Sequence, residues 1–174
     1  MSKNCKNMAT PKSTSKARID QELASFLRNP RVNEVFAERK KDVSYDEFLS
    51  NKMLIIAAIR AGVPYSLFNL IQQQAPFSEE DWADFLDIST KSLHRYKTSD
   101  DYYFKSIHSE KIMEMAEVTQ VGMDDFGSMD KLKLWLHTPN FALGKLKPLE
   151  LLKDSYGKEL VISELVRINH GILV

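Results

Sequence analysis

Apolar residues recur along this chain at helical spacing, in short runs separated by Gly, Pro, Asn and Ser. Leu23, Phe26 and Leu27 share a face before Asn29-Pro30. Val32, Val35 and Phe36 open a second segment, which fades into the charged run Glu38-Arg39-Lys40-Lys41-Asp42. Ser44 and Glu47 have capping-box spacing and predict a longer helix through Phe48, Leu54, Ile55, Ala58 and Ile59, closed by Gly62. Val63-Pro64 starts the next helix, with Leu67, Phe68 and Ile71 on its apolar side. A capping serine and three acids, Ser78-Glu79-Glu80-Asp81, then precede Trp82, Phe85 and Leu86. Asp87-Ile88 makes a tight connection, and Ser89 caps a helix carrying Leu93 and Tyr96. A helix from about Ser109 holds Ile112, Met113, Ala116 and Val118 and ends near Gly122. Ser128 is placed to cap a helix with Leu132, Trp135 and Leu136, stopped by Pro139-Asn140. Gly144 leads into a short helix with Leu149, Leu151 and Leu152. Gly157 marks a break before a last helix with Leu160, Val161, Leu165, Val166 and Ile168, and Gly171 suits its C-terminal cap. Sustained period-two alternation is absent, so the pattern predicts an all-α fold, with at most a short strand pair around Ala142–Lys147.

The pair of short helices around Asp87-Ile88 has helix-turn-helix spacing, in which the second helix enters the major groove. Its polar side presents Thr90, Lys91, His94 and Arg95, with Lys97 just beyond, and Lys91 and Arg95 are the stronger candidates for DNA contact. Asp84, Asp87, Asp100 and Asp101 lie in or near the motif and weaken attraction to phosphates. DNA binding is therefore expected to draw on dimerisation, a basic arm or a partner.

Charge and composition narrow the picture. The 174 residues carry a formal net charge of zero, so no global basic field announces nucleic acid and any such site is local. A single cysteine, Cys5, excludes an intramolecular disulfide and fits a reducing cytoplasm. The N-terminus has no apolar signal region, and the most apolar stretch, Met53 to Ala61, is too short to span a bilayer. A cytoplasmic protein with no membrane partner is expected. Residues 1–18 hold Lys3, Lys6, Lys12, Lys16 and Arg18 and no acid, a composition that reads as a solvated tail or as an arm adding phosphate contacts. Tyr102, Tyr103 and Phe104 are expected to pack at the seam between the two halves.

Catalytic chemistry is not found. His94, His108, His137 and His170 stand apart from one another and from any cysteine, which argues against zinc. The glycines form no phosphate-cradling loop, no nucleophile elbow occurs, and Cys5 lies in a polar tail. No catalytic residue, metal or cofactor is assigned, and the chain is not expected to be an enzyme.

The last fifty residues carry the most specific signal. In order they read Phe126-Gly127-Ser128, Trp135-Leu136, Thr138-Pro139-Asn140, Ala142-Leu143-Gly144, Pro148-Leu149-Glu150-Leu151-Leu152, Gly157 and Arg167-Ile168-Asn169-His170-Gly171. This series resembles the toxin-binding domain of Xre/ParS-type, MbcA-like antitoxins, the partners of RES-domain toxins. The resemblance covers roughly residues 52–174, and Ser89-Thr90-Lys91-Ser92-Leu93-His94-Arg95 matches the family's helix-turn-helix. Lys145 stands where the family commonly has a second glycine, and Asp154-Ser155 where it has Thr-Glu.

Composition and periodicity give a disordered basic tail over residues 1–18 and an N-terminal helical extension over 19–50, and the resemblance implies that an Xre-like helix-turn-helix domain over 51–105 and a toxin-binding domain over 106–174 follow in an all-α chain. It implies an antitoxin that neutralises a cognate RES-domain toxin that degrades NAD. NAD is then the partner's substrate rather than a cofactor of this chain. It also implies that the antitoxin represses its own operon as a homodimer on operator DNA. The chain ends Ile172-Leu173-Val174 after Gly171, and these apolar residues either fold onto the core or enter the toxin's active site, with the Val174 carboxylate pairing with cations there. Arg167, Asn169 and His170 would flank that entry. Two alternatives stand beside this reading: a DNA-binding transcriptional regulator without a toxin, and a pure protein-interaction module.

Overall fold

A computed structural model describes residues 11–33, 43–99, 101–169 and 171. Eleven α-helices and one 3-10 turn make up the regular structure of these residues: α1 Pro11–Leu27, α2 Pro30–Asn33, α3 Tyr45–Ser50, α4 Lys52–Ala61, α5 Tyr65–Gln73, α6 Glu79–Phe85, α7 Thr90–Lys97, α8 Ser106–Phe126, α9 Met129–Leu136, the 3-10 turn Phe141–Leu143, α10 Pro148–Leu151 and α11 Ser155–Asn169. The expected strand pair reduces to one antiparallel bridge between Asn140 and Leu146, with a second bridge between Pro64 and Tyr103.

The 21-residue helix α8 is the central strut. It packs against α3 and α4 on one side and α9 and α11 on the other. Ile112, Met113, Met115, Ala116 and Val118 are buried along it and join both halves of the chain into one core. Each of the Ile, Met and Val side chains withdrawn from water contributes roughly 1.5–3 kcal/mol. Gly122 was expected to end this helix, yet the helix runs on to Gly127, where φ is 62°. The reason is packing. A Cβ on Gly122 would lie 2.4 Å from Leu132 Cδ1, so the glycine lets α9 close onto α8.

Two other boundaries differ from the sequence pattern for similar local reasons, and a third lies where expected but lacks the expected cap bond. The long helix expected from Ser44 divides at Asn51, which closes α3 by donating its N–H to the Phe48 carbonyl. Its side-chain oxygen then accepts from the Met53 and Leu54 N–H groups to open α4. Ser128 sits at the N-cap of α9 without making a side-chain cap bond. Gly157 is not a break: it lies in the first turn of α11, which Asp154 caps by accepting from the Gly157 N–H at 2.7 Å. A Cβ at Gly157 would stand 1.9 Å from the Leu151 carbonyl oxygen, so glycine there permits α11 to lie against the end of α10.

At the N-terminal end, α1 begins at Pro11, so residues 11–18 of the expected basic tail belong to a helix. Ile19, Leu23 and Phe26 anchor it by burial, and α1 packs on α5 and α3. A docked turn of this kind supplies the nucleus from which a helix extends through residues of poor composition. Lys16 adds an exposed ion pair with Asp46 at 2.5 Å. Residues 1–10 lie outside the described residues.

Candidate functional sites

The helix-turn-helix is built from α6 and α7. Ser78 and Asp81 form a capping box, with reciprocal bonds of 2.8 and 3.1 Å, that starts α6. Trp82, Phe85 and Leu86 then point into the core, where Trp82 meets Phe68 and Phe77 edge-on at ring-centre distances of 5.1 and 5.7 Å. The turn is a Schellman closure. Ile88 N–H donates to the Ala83 carbonyl at 3.0 Å and Asp87 N–H to the Asp84 carbonyl at 3.2 Å. This places Asp87 at a φ of 50°, where glycine is more usual. Ser89 accepts from the Ser92 N–H at 3.1 Å and opens α7. Buried Leu93 pins α7, and Tyr96 stacks on Tyr102 at 3.8 Å.

That stack ties the recognition helix to the segment before α8. Tyr65 N–H donates to the Tyr102 carbonyl and Phe104 N–H to the Val63 carbonyl, each at 2.8 Å. Phe104 is buried among Phe68, Tyr96 and Tyr102, so the aromatic run does pack between elements. Burial, followed by the hydrogen bond with Tyr96, pushes the Tyr102 phenol well above its ordinary range.

The structure brings Lys91, His94 and Arg95 together as exposed residues on α7 and leaves Thr90 half-buried at its first turn. Lys97 stands apart from them, in a groove shared with Glu22 of α1, Asn29 of the turn after it and Tyr103. His94 Nε2 lies 3.1 Å from a Glu79 carboxylate oxygen, so one of the candidate DNA contacts faces an acid of α6. Arg95 lies over the Tyr96 ring at 5.6 Å. Asp84 pairs with Lys153 at 3.0 Å, which joins α6 to the turn before α11.

The second site is the end of α11. Glu164 is 8% exposed and receives Arg167 Nε and Nη2 at 2.8 and 2.7 Å. Asn140 Nδ2 donates to the same carboxylate at 3.3 Å. The Arg167 bonds, reinforced by Asn140, hold the Glu164 carboxyl below its usual range against the opposing effect of burial. Asn140 is the hinge of this corner, because its side-chain oxygen also accepts from Ala142 N–H at 2.8 Å and its carbonyl from Lys145 N–H at 2.8 Å. The loop turns at Gly144 and Lys145, with φ values of 68° and 64°, so the lysine adopts the left-handed backbone that a second glycine would hold without strain.

Arg167 is thus turned back onto Glu164, and Asn169 is exposed at the last turn of α11. Gly171 follows with a φ of 67° and donates its N–H to the Ile168 carbonyl at 3.0 Å. His170 and Ile172–Val174 lie outside the described residues. Sequence reasoning missed Glu164 and Glu117, because a lone acid on a helix gives no sign that tertiary packing will bury it. Glu117 of α8 receives Lys158 of α11 at 2.8 Å and also Lys52 of α4. Burial alone would raise its carboxyl, but the bonds from both lysines outweigh this and lower it. Among the described residues no cluster of His, Cys, Asp and Glu is arranged to hold a metal ion, and no helix is long and apolar enough to cross a membrane.

A helix-turn-helix joined through a shared strut to a helical C-terminal domain defines the class: a helix-turn-helix protein with an appended all-helical domain. Residues 54–117 match the antitoxin Xre-like helix-turn-helix domain, and residues 123–171 match the antitoxin Xre/MbcA/ParS C-terminal toxin-binding domain. The chain is 28% identical over 118 residues to "Antitoxin Xre" of Photorhabdus laumondii, covering 67% of this chain and 79% of that protein. Its fold resembles a chain of the M. tuberculosis MbcT-MbcA toxin-antitoxin complex with a TM-score of 0.50 at 20% identity, over 63% of this chain and 96% of that one. The chain belongs to the Xre/MbcA/ParS antitoxin family.

Proposed function

We propose that this antitoxin neutralises a cognate RES-domain toxin that degrades NAD, that the segment after Gly171 enters the toxin's active site, and that the helix-turn-helix represses the antitoxin's own operon. The proposed parts are a basic tail over residues 1–10, a helical extension over 11–50 that opens with α1, the helix-turn-helix domain 51–105 and the toxin-binding domain 106–174, acting in the cytoplasm as a homodimer. The observation that carries the reading is the support beneath the tail. Helix α11 lies along α8, Asn140 ties its Glu164 to the loop after α9, and Arg167 bonds the same carboxylate within the helix. A short apolar segment leaving a fixed helix loses little further entropy on insertion. In this reading Arg167 steadies the helix end, and Asn169, His170, Gly171 and Ile172–Val174 meet the toxin.

Repression rests on Lys91 and Arg95, which are exposed on α7, and two such helices about one DNA turn apart would read an operator. One observation favours a reading in which the helix-turn-helix serves interaction alone. Glu79 faces His94, and Asp87 lies in the turn that leads into α7, so acids stand next to the candidate contact residues.

Co-expression with the product of the adjacent gene tests the proposal. That product alone is expected to deplete NAD and stop growth, and this chain to restore both. Deleting Ile172–Val174 is expected to abolish rescue while leaving the fold intact. Unchanged rescue by the deletion would remove the tail from the mechanism. Salt-dependent binding to the upstream DNA, weakened by Arg95→Ala, checks the repression arm.

A further inference from the structure

Between Lys131 and Lys147 the chain carries four lysines and no acid, in a protein whose net charge is zero. None of Lys131, Lys133, Lys145 and Lys147 has an ion-pair partner among the described residues. The same stretch exposes three large apolar side chains: Leu134 at 69%, Phe141 at 83% and Leu146 at 47%. They lie on one cross-linked segment. Thr138 Oγ1 donates to the Leu134 carbonyl at 2.7 Å, Asn140 N–H donates to the Leu146 carbonyl at 3.0 Å, and Lys145 Nζ lies 5.9 Å from the centre of the Phe141 ring.

From this arrangement we infer that α9 and the Pro139–Lys147 loop form a second toxin-docking surface, separate from the tail, which takes an acidic face of the toxin with an apolar pocket for Phe141. The inference rests on the antitoxin reading above and deepens it. Three observations select the toxin as occupant. The surface lies wholly within residues 123–171, the part matched to the family's toxin-binding domain. Its four lysines carry no ion pair among the described residues and outnumber Asp130, the one acid of α9, so the surface is net positive and fits an acidic face of the partner. Its centre is an exposed phenylalanine held by a 3-10 turn that Asn140 caps, a pre-organised aromatic anchor of the kind that dominates protein interfaces. Phosphate binding would use the lysines but gives no reason to hold Phe141, Leu134 and Leu146 in water.

This surface does a different job from the tail. Tail insertion blocks a pocket, whereas a charged and aromatic face speeds encounter and fixes the orientation in which the tail arrives.

The test uses full-length antitoxin and the co-expressed product of the adjacent gene, with binding followed by calorimetry over a range of salt concentrations. Phe141→Ala is expected to weaken binding by about tenfold or more, as loss of an interface anchor does. The double variant Lys145→Glu with Lys147→Glu is expected to weaken binding at low salt and to flatten its salt dependence. Ile107→Ala, which removes an apolar side chain 72% exposed at the start of α8, serves as the control and is expected to leave binding unchanged. All these side chains are exposed, and unchanged melting temperatures confirm that the variants fold. Wild-type affinity for Phe141→Ala and for the charge reversal, alongside tight wild-type binding, overturns this inference and leaves the antitoxin reading standing. If Phe141→Ala breaks a homodimer, or the reversal abolishes operator binding, while toxin affinity is unchanged, the surface belongs to a second copy or to DNA and the inference is likewise overturned. If the wild-type chain does not bind the gene product at all, the antitoxin reading fails first.

Discussion

The helix-turn-helix half and the C-terminal half solve the same problem in different ways. The former closes its apolar surface on itself. Phe68, Phe77, Trp82, Phe85 and Phe104 meet edge-on in one aromatic cluster, and Ser78 and Ser89 cap the two helices of the motif with their own side chains. The latter leaves its surface open. Of the nine large apolar side chains exposed among the described residues, six (Leu134, Phe141, Leu146, Tyr156, Leu160 and Val166) lie within 123–171. Beneath that surface Leu132, Leu136, Leu152, Val161 and Leu165 are buried, and glycine contacts, the Asn140–Glu164 bond and a left-handed turn fix the rest. A unit that positions a recognition helix gains from self-sufficiency, while a domain that must meet another protein keeps apolar area in reserve for it.

The largest expected break in this contrast is Gly157→Ala. Its methyl would collide with the Leu151 carbonyl, which is backbone and cannot rotate away, so α11 must separate from α10. A loss of about 3 kcal/mol in urea unfolding is expected, with hydrogen exchange rising across α10 and α11 before it rises in α6 and α7. Uniform exchange in both halves would show instead that the strut α8 makes them one cooperative unit.

Asn140→Ala comes next. It removes the cap on Ala142 N–H and a donor to buried Glu164, so about 2 kcal/mol is expected to be lost. The loss is expected to be matched by weaker toxin binding, since both the tail support and the Phe141 turn depend on this residue.

Acid sharpens the comparison further. Glu117 and Glu164 both have carboxyls held below their ordinary value in the folded chain. A depressed carboxyl contributes stability that is present above its unfolded pKa, about 4.3 for glutamate, and is lost as pH falls through the lower folded value. Unfolding midpoints are therefore expected to be flat near neutrality and to drop below about pH 4, with Glu164→Gln removing part of that slope. A midpoint that falls equally in Glu164→Gln would place the acid sensitivity elsewhere.

The smallest effect is a gain. Lys145→Gly relieves a left-handed backbone in a residue with a Cβ, and about 1 kcal/mol of added stability is expected in thermal unfolding. The same change is expected to weaken toxin binding, because it removes one of the unpaired lysines. Stability and affinity moving in opposite directions would separate the fold's needs from the partner's.

Much of this was written in the sequence. Periodic Leu, Phe and Ile residues established the helices, because a 3.6-residue period needs no knowledge of what covers it. The Ser44–Glu47 box and the Ser78 and Ser89 caps were readable because they are local. The ordered motifs from Phe126 to Gly171 pointed to the family, and Lys91, His94 and Arg95 are exposed on the helix where spacing placed them. What only the tertiary structure decided involves partners far apart in the chain. Gly122 and Gly157 look like helix ends in one dimension and act as points of close approach in three, since Leu132 and Leu151 set that requirement. Glu117 became an ion-pair centre only when α4 and α11 brought Lys52 and Lys158 to it across α8. The helical character of residues 11–18 likewise depends on Ile19, Leu23 and Phe26 finding α5 and α3. Local hydrogen bonds and periodicity are properties of a segment; burial and charge pairing are properties of what the segment meets.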